Sequence, residues 1–430
     1  MASFSFGAGN LGKLLRIPLY FAGRIAVLLV PRGRRWVFGC GAGIGDGALA
    51  LWDVVREHGH DAVWLTRSPR EETDAAARGI RTIPRDSLAG WWATARAGVV
   101  VVTHGLGDVN RYATSDAFVV QLWHGIPLKR IGLDSAETTR LPSFPGSARA
   151  ERMLRGMYRK AAQRIQVMPA ASHRSRGRLE SAFALRPERV VVTGEPRVDV
   201  LSTGTAQERR SAASLRLREV VADLPARARF VLYAPTWRDG APDPAVPSAA
   251  EWIQLVSLLE RRDTVLLVRP HPLGAGAYIP PFPTRRVRLL TSDVIADVTP
   301  LLPAVDVLVT DYSSLLYDVG LLAMPVVYLA PDAEEYAATR GFYGSFADVA
   351  GSDAAAAWPE AVAELDRILG DPRAFTERSA RSRNLSAEMH AYRDGGAAER
   401  VYEIVLRRSR LAQPARKPDR REGDDDRSRR

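Results

Sequence analysis

The stretch AFVVQLWHGIPLKRIG, residues 117–132, begins as a mostly apolar run and turns at once into a polar cluster holding His124, Gly125, Pro127 and Lys129. A short apolar run bounded by turn residues is the pattern of a strand buried on both faces. A histidine directly after such a strand stands where an open parallel sheet forms its ligand crevice. Working outward, the same rhythm recurs on both sides. RRWVFGCGAG (34–43) reads as a strand entering a glycine loop, ALALWDVVREHG (48–59) as a helix ending at Gly59, and DAVWLT (61–66) as the next strand. GIRTIP (79–84), AGVVVVT (97–103), RIQVMPA (164–170) and ERVVVTG (188–194) continue it. The polar, arginine-rich stretch 202–229 reads as a linker. A second series follows: RFVLYAPTW (229–237), TVLLVRPHP (264–272), VRLLTS (287–292), VDVLVTDYSS (305–314) and PVVYLAP (325–331). Strands alternating with helices imply parallel sheets covered on both faces. The expected fold is therefore α/β: two doubly wound halves facing across a cleft lined by strand C-terminal ends.

Composition narrows the partners. The 430 residues are 46% hydrophobic and 25% charged, a globular balance that supports two or three domains with full cores. The single cysteine, Cys40, excludes an intramolecular disulfide and a thiolate metal cage, as expected of a reducing cytoplasmic compartment. Sixty basic residues against 49 acidic ones give a net charge of +11. Part of that excess is local: no acidic residue precedes Asp46, whereas Lys13, Arg16, Arg24, Arg32, Arg34 and Arg35 do. They bracket and interrupt the apolar run 14–30, which carries Arg16, Pro18 and Arg24 inside it and is too short and too interrupted to span a membrane. Leu14, Leu15, Tyr20, Phe21, Ile25, Leu28 and Leu29 can share one helix face, so residues 1–35 read as an interfacial segment on an anionic inner leaflet. A first core helix is the alternative, and a signal peptide, which would want a small-residue cleavage pattern before Arg32, is a third reading. Basic residues with interleaved aromatics are clustered nowhere else, which argues against nucleic acid as a partner. The tail 413–430, with seven basic and five acidic residues and no large apolar one, reads as disordered.

Every distinctive polar cluster falls just after a strand. His124, with no acidic residue nearby in sequence, is expected to titrate near the free value and to serve as a base, supported by Gly125 and Lys129. His104 has the same placement without supporting neighbours. Arg269 and His271, held by Pro270 and Pro272, suit a pyrophosphate, because a guanidinium forks onto phosphate oxygens and an imidazole adds a donor. Asp311, Ser313 and Ser314 precede a helical pattern, so the serines can cap it and face an anion. Arg197, Thr236 and Arg238 lie at the junction of the halves and fit phosphate neutralisation, or a salt bridge to Asp199 or Asp239. The glycine loop 39–47 lacks the carboxylate a nicotinamide site needs. It reads as a tight turn or as close helix–strand packing.

Together these strings resemble a family. Trp-His-Gly-x-Pro-Leu-Lys-Arg-Ile-Gly (123–132), Gly-x-Pro-Arg-x-Asp (194–199), Tyr-Ala-Pro-Thr-Trp-Arg (233–238), Arg-Pro-His-Pro (269–272) and Thr-Asp-Tyr-Ser-Ser (310–314) are similar, in order and spacing, to the CDP-glycerol glycerophosphotransferases of teichoic acid synthesis. APDAEEYAATRGFY (330–343) and YRDGGAAERV (392–401) extend the likeness, which covers about 36–407. It implies a GT-B type fold: an acceptor domain over 36–201, a linker over 202–229, a nucleotide domain over 230–390 and a return helix within 391–412. By motif, His124 is similar to the family's base, and Arg269, His271, Ser313 and Ser314 to its phosphate-binding positions. His271 counts with His124 as catalytic because it meets charge during transfer. In the implied reaction an acceptor hydroxyl attacks the phosphorus next to the glycerol, CMP leaves, and Arg238 joins the groups that meet the charge. The donor is CDP-glycerol or CDP-ribitol, and the acceptor a polyprenyl-diphosphate-linked polymer at the inner face of the cell membrane. No Asp-x-Asp occurs outside the tail, so neither a metal nor another cofactor is demanded. Ile126 departs from the motif, which often has threonine there. Two rivals remain at this point: a GT-B glycosyltransferase using a nucleotide-sugar, and a membrane-binding protein without catalysis.

Overall fold

Seven strands, β1 (Trp36–Phe38), β2 (Ala62–Thr66), β3 (Thr82–Pro84), β4 (Val99–Val102), β5 (Phe118–Gln121), β6 (Ile165–Ala170) and β7 (Val190–Val192), form one parallel sheet in the order β3-β2-β1-β4-β5-β6-β7. Five more, β8 (Arg229–Ala234), β9 (Thr264–Val268), β10 (Val287–Leu289), β11 (Val307–Thr310) and β12 (Val326–Tyr328), form a second, also parallel, in the order β10-β9-β8-β11-β12. These twelve strands coincide with the twelve apolar runs of the sequence. The computed structural model describes residues 17–135, 138, 147–238, 241–271, 273–274 and 276–409. The tail 413–430 and Lys13, Leu14, Leu15, Arg16, Asp239 and Pro272 lie outside them.

Strand order reverses between β1 and β4 in the first sheet and between β8 and β11 in the second, and at such points the loops after the strands part to leave a crevice. His104 and His124 follow β4 and β5; Thr236, Arg269 and Asp311 follow β8, β9 and β11. One apolar cluster joins the halves. Ile126, Leu128, Val198 and Leu201 of the first pack with Phe230, Leu232, Leu308 and Leu316 of the second. Ile126 is fully buried there, so its apolar side chain serves the core rather than offering a hydroxyl to the cleft.

The stretch 202–229 is not an extended linker. It holds the helix Ala206–Val220, started by a reciprocal Thr205/Glu208 cap, which buries Ala213 and Leu217 in the core of the second half while Arg210 reaches Asp306. The last helix, Ala397–Arg408, crosses back to the first half. Asp199 accepts the N–H groups of Ala397 and Ala398, and Val401, Tyr402 and Val405 pack with Trp36 and Phe38. Asp199 therefore caps a helix and does not pair with Arg197.

The N-terminal helix, Ile17–Leu28, rests one side on the first half: Val27 is buried and Tyr20 packs on Tyr112. Its other side is bare, with Leu19, Phe21, Ile25 and Leu28 exposed. Tyr20 thus leaves the expected apolar face. Arg32 leaves the set of surface charges, since its guanidinium donates to the carbonyls of Thr94, Ala97, Ala113 and Ser115. No helix among the described residues is long and apolar enough to cross a membrane.

Candidate active site

The segment 123–130 is held from both halves. Trp123 has φ +62, a strained value for a bulky residue, and its ring packs between His124 at 4.1 Å and Phe183 at 5.0 Å. Gly125 has φ +141, and a Cβ there would lie 2.7 Å from the Ser314 hydroxyl, so only glycine lets the two halves meet at this point. Arg130 N–H donates to Gly341 and Tyr343 N–H to Leu128, while Lys129 bridges to Phe342. The Gly341–Tyr343 end of the motif at 330–343 therefore anchors the His124 loop.

His124 is open to solvent on its cleft side, yet protein surrounds the rest of its ring. That crowding, with the neighbouring His104, Arg197 and Lys129, holds its pKa well below the ordinary histidine value; the Thr103 carbonyl, hydrogen-bonded to the ring, opposes this. The expectation of an unperturbed histidine is therefore corrected: sequence neighbours lack charge, but neighbours in space are cationic. A neutral imidazole is the form a base needs.

His271 faces the same cleft from the second half. Its Nδ1 accepts from Leu273 N–H at 3.1 Å, which leaves Nε2 to carry the proton and to donate. Its ring stacks on Trp237 at 5.6 Å, and Arg340 covers the Trp237 ring at 5.9 Å. Burial first, then Lys129 and Arg269, lower its pKa to about 4, so it offers a neutral N–H. Lys129 thus acts on both histidines across the cleft. Ser313 Oγ accepts from Leu315 N–H, whereas the Ser314 side chain makes no cap bond and stands against Gly125.

Two arginines are not where the sequence placed them. Arg238 donates Nε and Nη2 to Asp332 at 2.6 and 2.8 Å and Nη1 to Asp311 at 2.9 Å and to the Thr236 carbonyl, with Tyr312 and Tyr336 on its faces. Four of its five N–H groups are so used, which withdraws it from phosphate binding. Asp311 in turn accepts from the backbone of Thr236 and Tyr312, so Thr236, Arg238 and Asp311 shape the strand ends. Arg197 forks onto Asp318 at 2.6 and 2.8 Å and binds Glu195 at 2.9 Å, its side chain only 8% exposed. That ion pair joins the halves, and Asp199 is not its partner. Arg269 spends three donors on the carbonyls of Leu290, Ile295 and Ala296, showing that a buried arginine needs no acidic partner. Sequence reasoning missed Trp237, Asp318 and Asp332, whose partners are distant in the chain, and Glu195, which binds Arg197 only two residues away. Cys40, Asp46 and His104 bring metal-type ligand atoms within 4.8 Å of one another. Burial and nearby carboxyls keep the thiol protonated, and Thr103 and Ala42 already hydrogen-bond its sulfur.

Residues 40–407 match the model of the CDP-glycerol:poly(glycerophosphate) glycerophosphotransferase family. The chain belongs to this family. The teichoic acid glycerol-phosphate transferase of Staphylococcus aureus is 26% identical over 308 residues, 69% of this chain and 74% of that protein. The teichoic acid poly(glycerol phosphate) polymerase of Bacillus subtilis is 28% identical over 306 residues, 69% of this chain but only 38% of that protein. Among solved structures, the wall teichoic acid polymerase TagF superposes with a TM-score of 0.72 at 20% identity, covering 92% of this chain and 96% of that one, a likeness of fold. The family resemblance read from the motifs is thereby confirmed, as is an α/β fold of parallel sheets.

Proposed function

We propose that this chain transfers glycerol phosphate from CDP-glycerol to a hydroxyl of a polyprenyl-diphosphate-linked acceptor, in a GT-B arrangement at the inner face of the cell membrane. The observation that carries the reading is the family match over 40–407, together with the charge of Lys129 acting on both His124 and His271. The acceptor oxygen bonds to the phosphorus bearing glycerol, the bond to the CMP oxygen breaks, and the hydroxyl proton passes to neutral His124. His271 Nε2–H, Lys129 and the Ser313–Ser314 turn meet the charge on the departing phosphate. Arg269 contributes field and holds the 290–296 loop.

His271→Ala should weaken CDP-glycerol binding about 10–100-fold, the worth of a hydrogen bond to a charged group, and calorimetry reads it. Unchanged affinity would remove His271 from the donor site. CDP-ribitol is the second reading, because a teichoic acid ribitol-phosphate polymerase of Staphylococcus aureus is 31% identical over 169 residues. Parallel assays with the two donors separate them.

Membrane contact is proposed through the bare side of the helix Ile17–Leu28. Leu88 and Trp92 are also exposed on the helix Leu88–Ala95, against which Val27 packs. With Arg24 and Arg96 beside them, these residues suit an anionic lipid surface. Serine at 21, 25, 28 and 29 should abolish sedimentation with phosphatidylglycerol vesicles and leave turnover of a soluble acceptor intact. Retained sedimentation would place the contact elsewhere.

A further inference from the structure

His104 stands beside His124 as its wall. The loops after the adjacent parallel strands β4 and β5 bring the two imidazoles into a stack, with centroids 4.2 Å apart and planes 4° apart. We propose that His104 is a positioning residue for His124, a flat neutral ring that walls the base on one side, keeping it aligned and free of a proton until transfer. The proposal rests on the reading of His124 as the base.

Three observations carry it. The backbone of the His104 loop is pinned: Thr103, His104 and Gly105 N–H all donate to the buried Asp108 carboxylate, at 2.9, 2.7 and 3.2 Å. The ring is pinned as well, since Nδ1 is 2.8 Å from Thr103 Oγ1, while the Thr103 carbonyl takes Gln121 Nε2 at 2.7 Å and is hydrogen-bonded to the His124 ring. Thr103 thus ties both imidazoles. On the far side, a Cβ at Gly41 would lie 2.3 Å from His104 Cγ and 2.4 Å from its Nδ1. Any side chain there would displace the ring, which gives the glycine loop after β1 a purpose other than cofactor binding.

The electrostatics fit a wall rather than a second base. Burial and the Arg67 charge hold His104 at a pKa of about 4, and Asp108, Asp46 and Cys40 are its other titratable neighbours. Around His124 stand Arg197 and Lys129. Two imidazolium rings at this separation would repel strongly, so the pair takes up one proton, and His124 is the more exposed of the two.

The test uses the full chain carrying ¹³C-labelled histidine, with the His124 signal assigned from a His124→Asn sample. His104→Ala should move the His124 titration upward toward the ordinary histidine range, move the acid limb of kcat with it, and lower kcat about tenfold through lost alignment. KM for CDP-glycerol should not change. His104→Phe, which restores a flat ring, should return titration and limb to wild-type positions. His104→Gln fills the space without a ring, so it should behave as His104→Ala and serves if that variant fails to fold. A His124 titration unmoved by both ringless variants would overturn the proposal, and so would a His104→Phe enzyme as impaired as His104→Ala. The resonance reports on His124 whether or not it is the base. A fully active His124→Ala enzyme would sink the base reading separately.

Discussion

His124→Ala is expected to bind CDP-glycerol as the wild type does and to turn it over about 10²–10⁴-fold more slowly, the usual cost of a lost general base. The ground-state donor contacts assigned here lie on His271, Lys129 and the Ser313–Ser314 turn, so affinity and rate should separate. The pH profile carries a second mark. Burial and the cations Arg197 and Lys129 favour the neutral ring, so protonation comes below the ordinary histidine pKa. Wild-type kcat should hold its plateau from pH 8 down through the free histidine value near 6.5 and decline only at lower pH. A decline centred at that free value would mean that the group titrating in turnover is not this crowded ring.

The second large effect is structural. Arg197→Ala leaves Asp318 and Glu195 buried without their cation, and one Glu195 oxygen already lacks a partner. Breaking a buried ion pair from one side costs about 3–5 kcal/mol, to be read as a lower urea midpoint. His390 adds a pH signature. It is buried, its Nε2 lies 3.9 Å from Asp318, and its pKa is lowered to about 4 by burial and by Arg197, against the pull of Asp318. A depressed histidine costs the fold stability as pH falls from 6.5 toward 4, because the unfolded chain takes the proton first. Without Arg197, the proton on His390 answers the Asp318 charge and this loss shrinks. The gap between variant and wild type should therefore narrow from pH 8 to pH 5.5. A gap that widens would remove His390 from the network.

The strands were legible because each is an apolar run closed by glycine, proline or a polar cluster, a pattern local to the chain. His124 and His271 were legible for the same reason, standing at strand ends. What stayed hidden depends on long-range partners. Arg197 and Asp318 are 121 residues apart and Arg238 and Asp332 are 94, so the acids that take the forked ends of these arginines leave no local signal; only Glu195, two residues from Arg197, was within reach of a local reading. Arg269 misled differently, since backbone carbonyls satisfy it and carry no sequence signal. The stack of His104 on His124 follows from the neighbouring positions of β4 and β5, a consequence of sheet order. The region 202–229 read as a linker because its helix is arginine-rich, and only Ala213 and Leu217 are buried along it.

The most direct test of the central claim is nucleotide release by the purified full chain supplied with a polyprenyl-diphosphate-linked acceptor. CMP should appear from CDP-glycerol in step with glycerol phosphate on the acceptor, and no UDP should appear from UDP-sugars. Release of UDP from a nucleotide-sugar, with none of CMP from CDP-glycerol or CDP-ribitol, would contradict the account.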